Sequence, residues 1–396
     1  MDPHRNPFSP GAGSPPPELV GREETLAAFE LLLSRVSKGR SEKSLMLTGL
    51  RGVGKTVLLN EMRLHAEAED CFVVHLEAHD GKPLGPLITS SIRSILLKLD
   101  RFGGAKQGVR RGFAVLKSFI SSVKVTYEEI SFGLDIDPEP GTADSGDLEL
   151  DLPDLLNAVA LAAAEKSKVI ALLIDELQYF NEVELSALIM AMHRMQQRQL
   201  PLILVGAGLP ILPRLAGESK SYAERLFHFP DIGPLAPDEV RRALHDPIVE
   251  EGATITESAL DEILAVTKGY PYFVQEWGYQ VWNTATANKI EKADVTNSHG
   301  DTVKRLDQNF FRVRFDRLTP SEKEFLRAMA ELGSGPYRIG EIAEVLGIQV
   351  GSLSPRRAKL IHKAMIYSPS HGDLEFTVPL FDQFMKREIP EFTKGR

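Results

Sequence analysis

Hydrophobic and polar positions in this chain follow two periods, and their alternation divides it. Leu26, Phe29, Leu32, Leu33 and Val36 recur at helical spacing and predict a helix, entered through a short approach segment that opens at Leu19. Ser44-Leu45-Met46-Leu47-Thr48 is a short apolar run of the kind a buried strand makes, and residues 57–68 return to the helical period. Strand 71–76 and helix 84–99 repeat the alternation. It resumes further on as helix 155–165, strand 169–174, helix 184–197 and strand 202–205, each bounded by Pro, Lys or Gly. Strands separated by helices predict an α/β core around a parallel sheet.

Three regions depart from that pattern. Residues 103–151 open on the paired glycines Gly103 and Gly104 and go on through a basic amphipathic stretch from Arg110 to Lys124, an alternating segment through Val123, Val125 and Tyr127, and an acidic run from Asp135 to Asp151. They read as a partly mobile insertion on the core. Residues 237–295 are wholly helical in pattern. From Thr319 onward, three short helices precede a hairpin turning on Ser370-His371-Gly372-Asp373, the order of a winged helix-turn-helix. The predicted organisation is a disordered tail over 1–17, an α/β core over 18–235 and a helical lid over 236–300. A linker and winged helix over 301–396 complete it.

Within the C-terminal module, Ile339, Ile342, Ala343 and Leu346 line one helix face and Gly347 makes the turn. Leu353, Leu360, Ile361 and Ala364 supply the inward face of the next helix. Ser354 and Pro355 read as the N-cap and first position of that second helix. This places Arg356, Arg357, Lys359 and Lys363 as candidate DNA contacts, because cations early in a helix oppose the macrodipole unless phosphates or base edges meet them. The segment from Lys304 to Arg317, where Arg305, Arg312, Arg314 and Arg317 interleave with Phe310, Phe311 and Phe315, reads as an interdomain strut.

Composition narrows the partners. The 396 residues, 43% of them hydrophobic and 26% charged, suffice for two or three packed domains. A net charge of −9 excludes a molecule drawn as a whole to nucleic acid or anionic membrane, so any contact with double-stranded DNA belongs to a local patch. From 319 to 396, eleven Lys or Arg stand against ten Asp or Glu, a balance short of a basic DNA-binding domain. The lone cysteine, Cys71, rules out an intramolecular disulfide, and no run approaches the roughly 20 apolar residues of a membrane span. A cytoplasmic protein without a membrane partner is the expectation.

The chemistry is concentrated at two strand ends. Gly49-Leu50-Arg51-Gly52-Val53-Gly54-Lys55-Thr56 has P-loop spacing and lies between a predicted strand and a predicted helix, the context that motif requires. Its glycines let backbone N–H groups curl around phosphates, Lys55 reaches the outer phosphates, Thr56 ligates Mg2+, and Val57 opens the helix. Val169-Ile170-Ala171-Leu172-Leu173-Ile174-Asp175-Glu176 is an apolar strand ending in two carboxylates. Asp175 would hold the metal through its waters and Glu176 would polarise the attacking water. The predicted ligands are ATP and Mg2+, and hydrolysis is the predicted chemistry.

With these motifs in place, the chain resembles the AAA+ and STAND P-loop ATPases, in particular the origin-recognition-like, archaeal-type branch. The resemblance implies a P-loop NTPase core, a helical lid and a C-terminal winged helix. It assigns Val20 and Gly21, in Leu19-Val20-Gly21-Arg22-Glu23, to the adenine side. It assigns Arg225, in Ser221-Tyr222-Ala223-Glu224-Arg225-Leu226, to an arginine finger acting in cis or in trans. Pro271, in Gly269-Tyr270-Pro271, would couple nucleotide to lid position. Two departures stand out: strand 202–205 runs into Gly206-Ala207-Gly208 rather than a polar sensor, and no sensor arginine follows Gly269. The resemblance therefore implies a slow, nucleotide-operated switch rather than a motor. Its output is DNA binding or, alternatively, a STAND-type control of a protein partner or of nucleotide-dependent homo-oligomerisation.

Overall fold

A computed structural model describes residues 1–11, 13–101, 106–122, 136–333, 335–370 and 372–392. The chain divides into two compact units: one holds 22–49 and 55–232, and the other gathers 1–21, 50–54 and 233–396. The predicted alternating segment through Val123, Val125 and Tyr127, and the turn residue His371, lie outside the described residues.

The first unit runs α1 (Glu23–Ser37), β1 (Ser44–Thr48), α2 (Lys55–Ala68), β2 (Phe72–Glu77), α3 (Leu84–Arg101), α4 (Lys106–Ser122), α5 (Leu148–Ala164), β3 (Ile170–Asp175), α6 (Glu182–Gln197), β4 (Leu202–Gly208), α7 (Leu212–Ser219), α8 (Ala223–Leu226) and β5 (Phe227–His228). Its five strands are parallel in the order β2-β3-β4-β1-β5. Leu172 is paired between Val74 and Leu204, and every residue of β3 is buried, as a parallel sheet covered by helices on both faces demands. This is the P-loop ATPase fold, with β1 and β3 bringing the two chemical motifs to the carboxyl edge of one sheet.

Helix α4 belongs to the packing of this unit: Val109, Phe113, Leu116 and Phe119 share the core of Leu155, Leu156 and Val159. Helix α5 opens before residue 155, its predicted start, because Asp147 caps it by accepting from the Glu149 amide. Acidic Asp151 is buried there. It accepts from Ser122 Oγ at 2.9 Å, Ser145 Oγ at 2.7 Å and the Gly146 amide at 3.0 Å, which ties α4 to the approach of α5.

The second unit runs α9 (Pro237–Glu250), β6 (Thr254–Ile255), α10 (Glu257–Thr267), α11 (Pro271–Thr284), β7 (Lys289–Ile290) and α12 (Lys292–Leu306). A π-helical turn over Asp307–Phe311 leads to α13 (Arg312–Phe315), α14 (Pro320–Glu331), β8 (Tyr337–Arg338), α15 (Ile339–Leu346), α16 (Val350–His362), β9 (Ile366–Tyr367), β10 (Asp373–Phe376) and α17 (Phe381–Glu388). Strands β8, β10 and β9 form an antiparallel sheet in that order, so three helices and a hairpin follow one another in a manner compatible with a winged helix. Phe310, Phe311 and Phe315 are buried, and Phe311 stacks on Phe384 of α17 at 5.2 Å. The alternating phenylalanines thus bind the module into this unit.

Within the segment expected to be disordered, Met1, Asp2, Asn6 and Phe8 contact α11 and the residue that follows it. Phe8 is 2% exposed, and a Cβ at Gly278 would stand 2.9 Å from its ring, so a residue without a side chain makes room for it. Trp282 Nε1 donates to the Asp2 carbonyl at 2.9 Å, and Asn6 Nδ2 donates to the Tyr279 carbonyl at 3.0 Å. A Pro-rich composition suggests disorder, but one buried aromatic ring and paired backbone carbonyls offset the ordering entropy.

Candidate nucleotide site

The glycine-rich loop leaves β1 at Gly49 and enters α2 at Lys55. Gly52 at φ 83° and Gly54 at φ 95° occupy the left-handed region that side chains avoid, and this turns successive amides toward one concave side. Val53 between them is buried, anchoring the loop, and Val57 is half-buried in the first turn of α2. Lys55 is 7% exposed, and its Nζ donates to the Gly49 carbonyl at 2.8 Å. The ammonium is thus bonded back to the residue that follows β1.

At the end of β3, Thr56 Oγ1 donates to Asp175 Oδ2 at 2.5 Å, and the Glu176 amide donates to Asp175 Oδ1 at 2.8 Å. Two hard oxygen donors from separate motifs thus meet at the sheet edge. They suit Mg2+, which takes one or two protein oxygens beside phosphate oxygens and water. Glu176 sits at φ 56° and ψ 39°, the left-handed conformation, which costs energy in a residue with a Cβ. That kink ends β3 abruptly and turns Leu177 and Gln178 back over β4.

The kink also explains the missing polar sensor. A Cβ at Gly206 would lie 2.2 Å from Leu177 Cδ1, and one at Gly208 would lie 2.8 Å from Gln178 Oε1. The end of β4 is therefore glycine because the residues after Asp175 fill its space. Gln178 accepts from the Leu209 amide at 3.1 Å and donates through Nε2 to the Glu176 carboxylate. Its place against Glu176 was not anticipated from the sequence. The available signal was the pairing of a polar residue two places beyond Glu176 with two glycines in the neighbouring strand.

Other predicted residues gather within the second unit. Val20 is buried, and Gly21 stands where a Cβ would meet the Glu239 carboxylate at 2.5 Å, against the N-terminus of α9. Pro271 is the first residue of α11, a position that spares its absent N–H. Its neighbour Tyr272 donates its amide to the Gly52 carbonyl at 3.2 Å, and the Arg51 amide donates to the Thr377 carbonyl at 3.3 Å. The loop tip is thus bonded to both the helical segment and the C-terminal module of its unit. Arg225 stands exposed on α8, where its backbone amide bonds Tyr222.

The candidate DNA contacts need a correction. Helix α16 begins at Val350 rather than after Ser354, so Ser354 and Pro355 lie in its second turn and Gln349 stands at the N-cap position. Burial of Leu353 and Leu360, seven residues apart, requires helix across both, and this outweighs the backbone bond that Pro355 forfeits. Arg356 and Arg357 are therefore mid-helix, clear of the end where the macrodipole acts. Lys363 is engaged, donating to Glu322 at 2.7 Å and to the Arg317 carbonyl at 2.9 Å. Arg356 pairs with Glu324 at 3.4 Å and Arg357 reaches Ser368 Oγ at 3.4 Å, while Lys359 is exposed. Glu322 is buried, which raises its pKa, but the Lys363 hydrogen bond, the Thr319 amide and the Lys363 charge outweigh burial and hold it below the ordinary carboxylate value.

Comparison with known proteins agrees with this geometry. Residues 18–205 match the family described as AAA ATPase domain, and residues 308–385 match a domain of unknown function. Among curated proteins the chain is 23% identical over 363 residues to an uncharacterized HTH-type transcriptional regulator of Methanocaldococcus jannaschii, covering 90% of this chain and 85% of the regulator. Among solved structures it resembles the Walker-type ATPase of Pyrococcus abyssi with a TM-score of 0.59 at 14% identity. That match covers 93% of this chain and 96% of the other. Among the described residues no helix is long and apolar enough to cross a membrane.

Proposed function

We propose that this protein is a Mg2+-dependent ATPase that works as a nucleotide-operated switch on double-stranded DNA. The observation that carries the reading is the meeting of Thr56 and Asp175 at 2.5 Å, directly beside the kinked Glu176. Bound Mg2+ would supply charge neutralisation at the phosphates, with Thr56 and Asp175 as its protein oxygens. Lys55 would exchange the Gly49 carbonyl for phosphate oxygens, and loop amides would take the remaining lone pairs. Glu176, aimed by Gln178, would accept a proton from the attacking water. The match to an AAA ATPase domain supports the nucleotide chemistry, and the HTH-type relative supports DNA as the output.

A second reading keeps the switch and changes the output to a STAND-type protein partner or homo-oligomer. The Arg51 amide bonded to the Thr377 carbonyl favours it, because it links a nucleotide loop directly to the C-terminal module. The cations of α16 that are spent on Glu322 and Glu324 favour it too. One experiment separates the two: ATP turnover of the wild type and Glu176→Gln, with and without duplex DNA. DNA-stimulated turnover that falls at least about a hundredfold in Glu176→Gln supports the first reading. Turnover indifferent to DNA, with a mass that changes between ADP and ATP, supports the second. Undiminished turnover in Glu176→Gln overturns the hydrolytic role of Glu176 in both.

A further inference from the structure

Helix α11 carries a glycine in its interior, and the reason lies in a distant part of the chain. Gly278 is the eighth of fourteen residues, a position where glycine weakens a helix and alanine favours it. A Cβ there would stand 2.9 Å from three atoms of the Phe8 ring, so the helix is notched where that ring sits. Phe8 is buried, while residues 2–5 before it are exposed. Polar contacts continue along the same face. Asn6 Nδ2 donates to the Tyr279 carbonyl and to Asn283 Oδ1, each at 3.0 Å, and Trp282 Nε1 donates to the Asp2 carbonyl at 2.9 Å. Gly278, Tyr279, Trp282 and Asn283 stand at i, i+1, i+4 and i+5, which is one side of a helix.

The segment that fills this face is shaped by its own bonds. The Asp2 carboxylate accepts from the His4 amide at 2.9 Å, the Asn6 amide donates to the Pro3 carbonyl at 3.4 Å, and Asn6 Oδ1 accepts from the Phe8 amide at 3.0 Å. Asn6 therefore works twice: its oxygen closes a turn over Pro7, and its nitrogen reads the helix. A turn made within the segment presents Phe8 in the same way wherever the segment is seated, and a preorganised ligand loses little freedom on binding.

We infer that this face of α11 is a peptide-recognition site for an Asn-Pro-aromatic turn, with residues 1–8 as its tethered ligand, and that the same segment of a second copy exchanges into it. Every copy carries both the notch and the turn that fits it, which is the condition for segment exchange. Eleven residues, four of them proline, separate Phe8 from buried Val20. Fully extended they span up to about 40 Å, enough to seat the turn on a neighbouring molecule. A tethered segment competes at an effective concentration in the millimolar range, so its own copy holds the site in dilute solution and exchange grows with protein concentration.

The test uses the full chain without nucleotide, and a synthetic peptide of residues 1–17 labelled at its C-terminal end. Phe8→Ala empties the notch without filling it, and this variant should bind the peptide saturably in fluorescence anisotropy. Wild type should bind it at least about tenfold more weakly, because its own segment competes. The double variant Phe8→Ala/Gly278→Ala, in which a methyl group occupies the notch, should also bind at least about tenfold more weakly than Phe8→Ala, with no loss of helix by circular dichroism. Peptide carrying Phe8→Ala should lose most of its affinity for the emptied chain. Should Phe8→Ala fail to give the circular dichroism of wild type, Asn6→Ala opens the site by removing two bonds instead of a ring and takes its place as acceptor. No saturable binding, equal binding by wild type and the opened chain, or binding undiminished by Gly278→Ala overturns the site. Light scattering over a concentration series then reads the exchange. A wild-type mass that rises, and does not rise in Phe8→Ala or Gly278→Ala, supports it, whereas a constant wild-type mass or a rise that persists in both variants overturns it.

Discussion

The carboxyl edge of β3 and the outward face of α16 both present charge, but they hold it differently. Asp175 ends a strand whose residues are all buried, and Glu176 follows it in a left-handed kink. The predicted cations sit on α16 and just past its end, and neighbouring acids answer two of them: Glu324 takes Arg356, and Glu322 takes Lys363 at the C-cap. Charge on a rigid strand end is preorganised for a ligand, whereas charge on a surface helix is available only after its internal partners are counted. Of the predicted four, Lys359 and Lys363 are exposed, and Lys363 already donates to Glu322.

The largest expected effect tests the rigid end. Asp175→Asn keeps shape and removes charge, and the Mg2+ concentration for half-maximal turnover should rise about 10–100-fold, as loss of a partner around a metal does. A metal titration of ATP turnover measures it. An unchanged Mg2+ requirement would show that the 2.5 Å contact between Thr56 and Asp175 serves the fold alone.

The next effect concerns the paired end. Lys363→Met leaves buried Glu322 without its cation and should destabilise the protein by about 1–3 kcal/mol near neutral pH, measured by chemical denaturation. Glu322 has a depressed pKa, so its stabilisation is present above the ordinary carboxylate value of 4.5 and is lost as pH falls below it. The wild type should lose stability over that acid range, and Lys363→Met should show a flatter profile. Equal pH profiles would remove the ion pair as the reason Lys363 is unavailable to a ligand.

These two regions also differ in how far sequence alone reveals them. The loop was legible because Gly52, Gly54, Lys55 and Thr56 each answer a separate physical demand at fixed spacing, and the parallel sheet because fully buried strands are continuous apolar runs. Glu176 was legible by its place after Asp175, but Gln178 was not, since its role depends on Gly208 some thirty residues away in the neighbouring strand. The start of α16 was misplaced because Pro355 is a strong local signal for a helix start, and burial of Leu353 overrode it. Residues 1–17 looked disordered by composition, and the burial of Phe8 among them was not legible because it depends on Gly278, far along the chain.

The smallest effect is the sharpest test of the comparison. If DNA is the output, Lys359 contacts phosphate as a single exposed cation, and Lys359→Ala should weaken duplex binding a few-fold while reducing the slope of log affinity against log salt by about one. Lys363→Met, whose cation already serves Glu322, should leave that slope unchanged. Fluorescence anisotropy across a salt series reads both. Loss of slope in Lys363→Met would mean that the Glu322 pair opens for DNA and that pairing on α16 is a latch. No loss in either variant would move the output of the switch away from this helix.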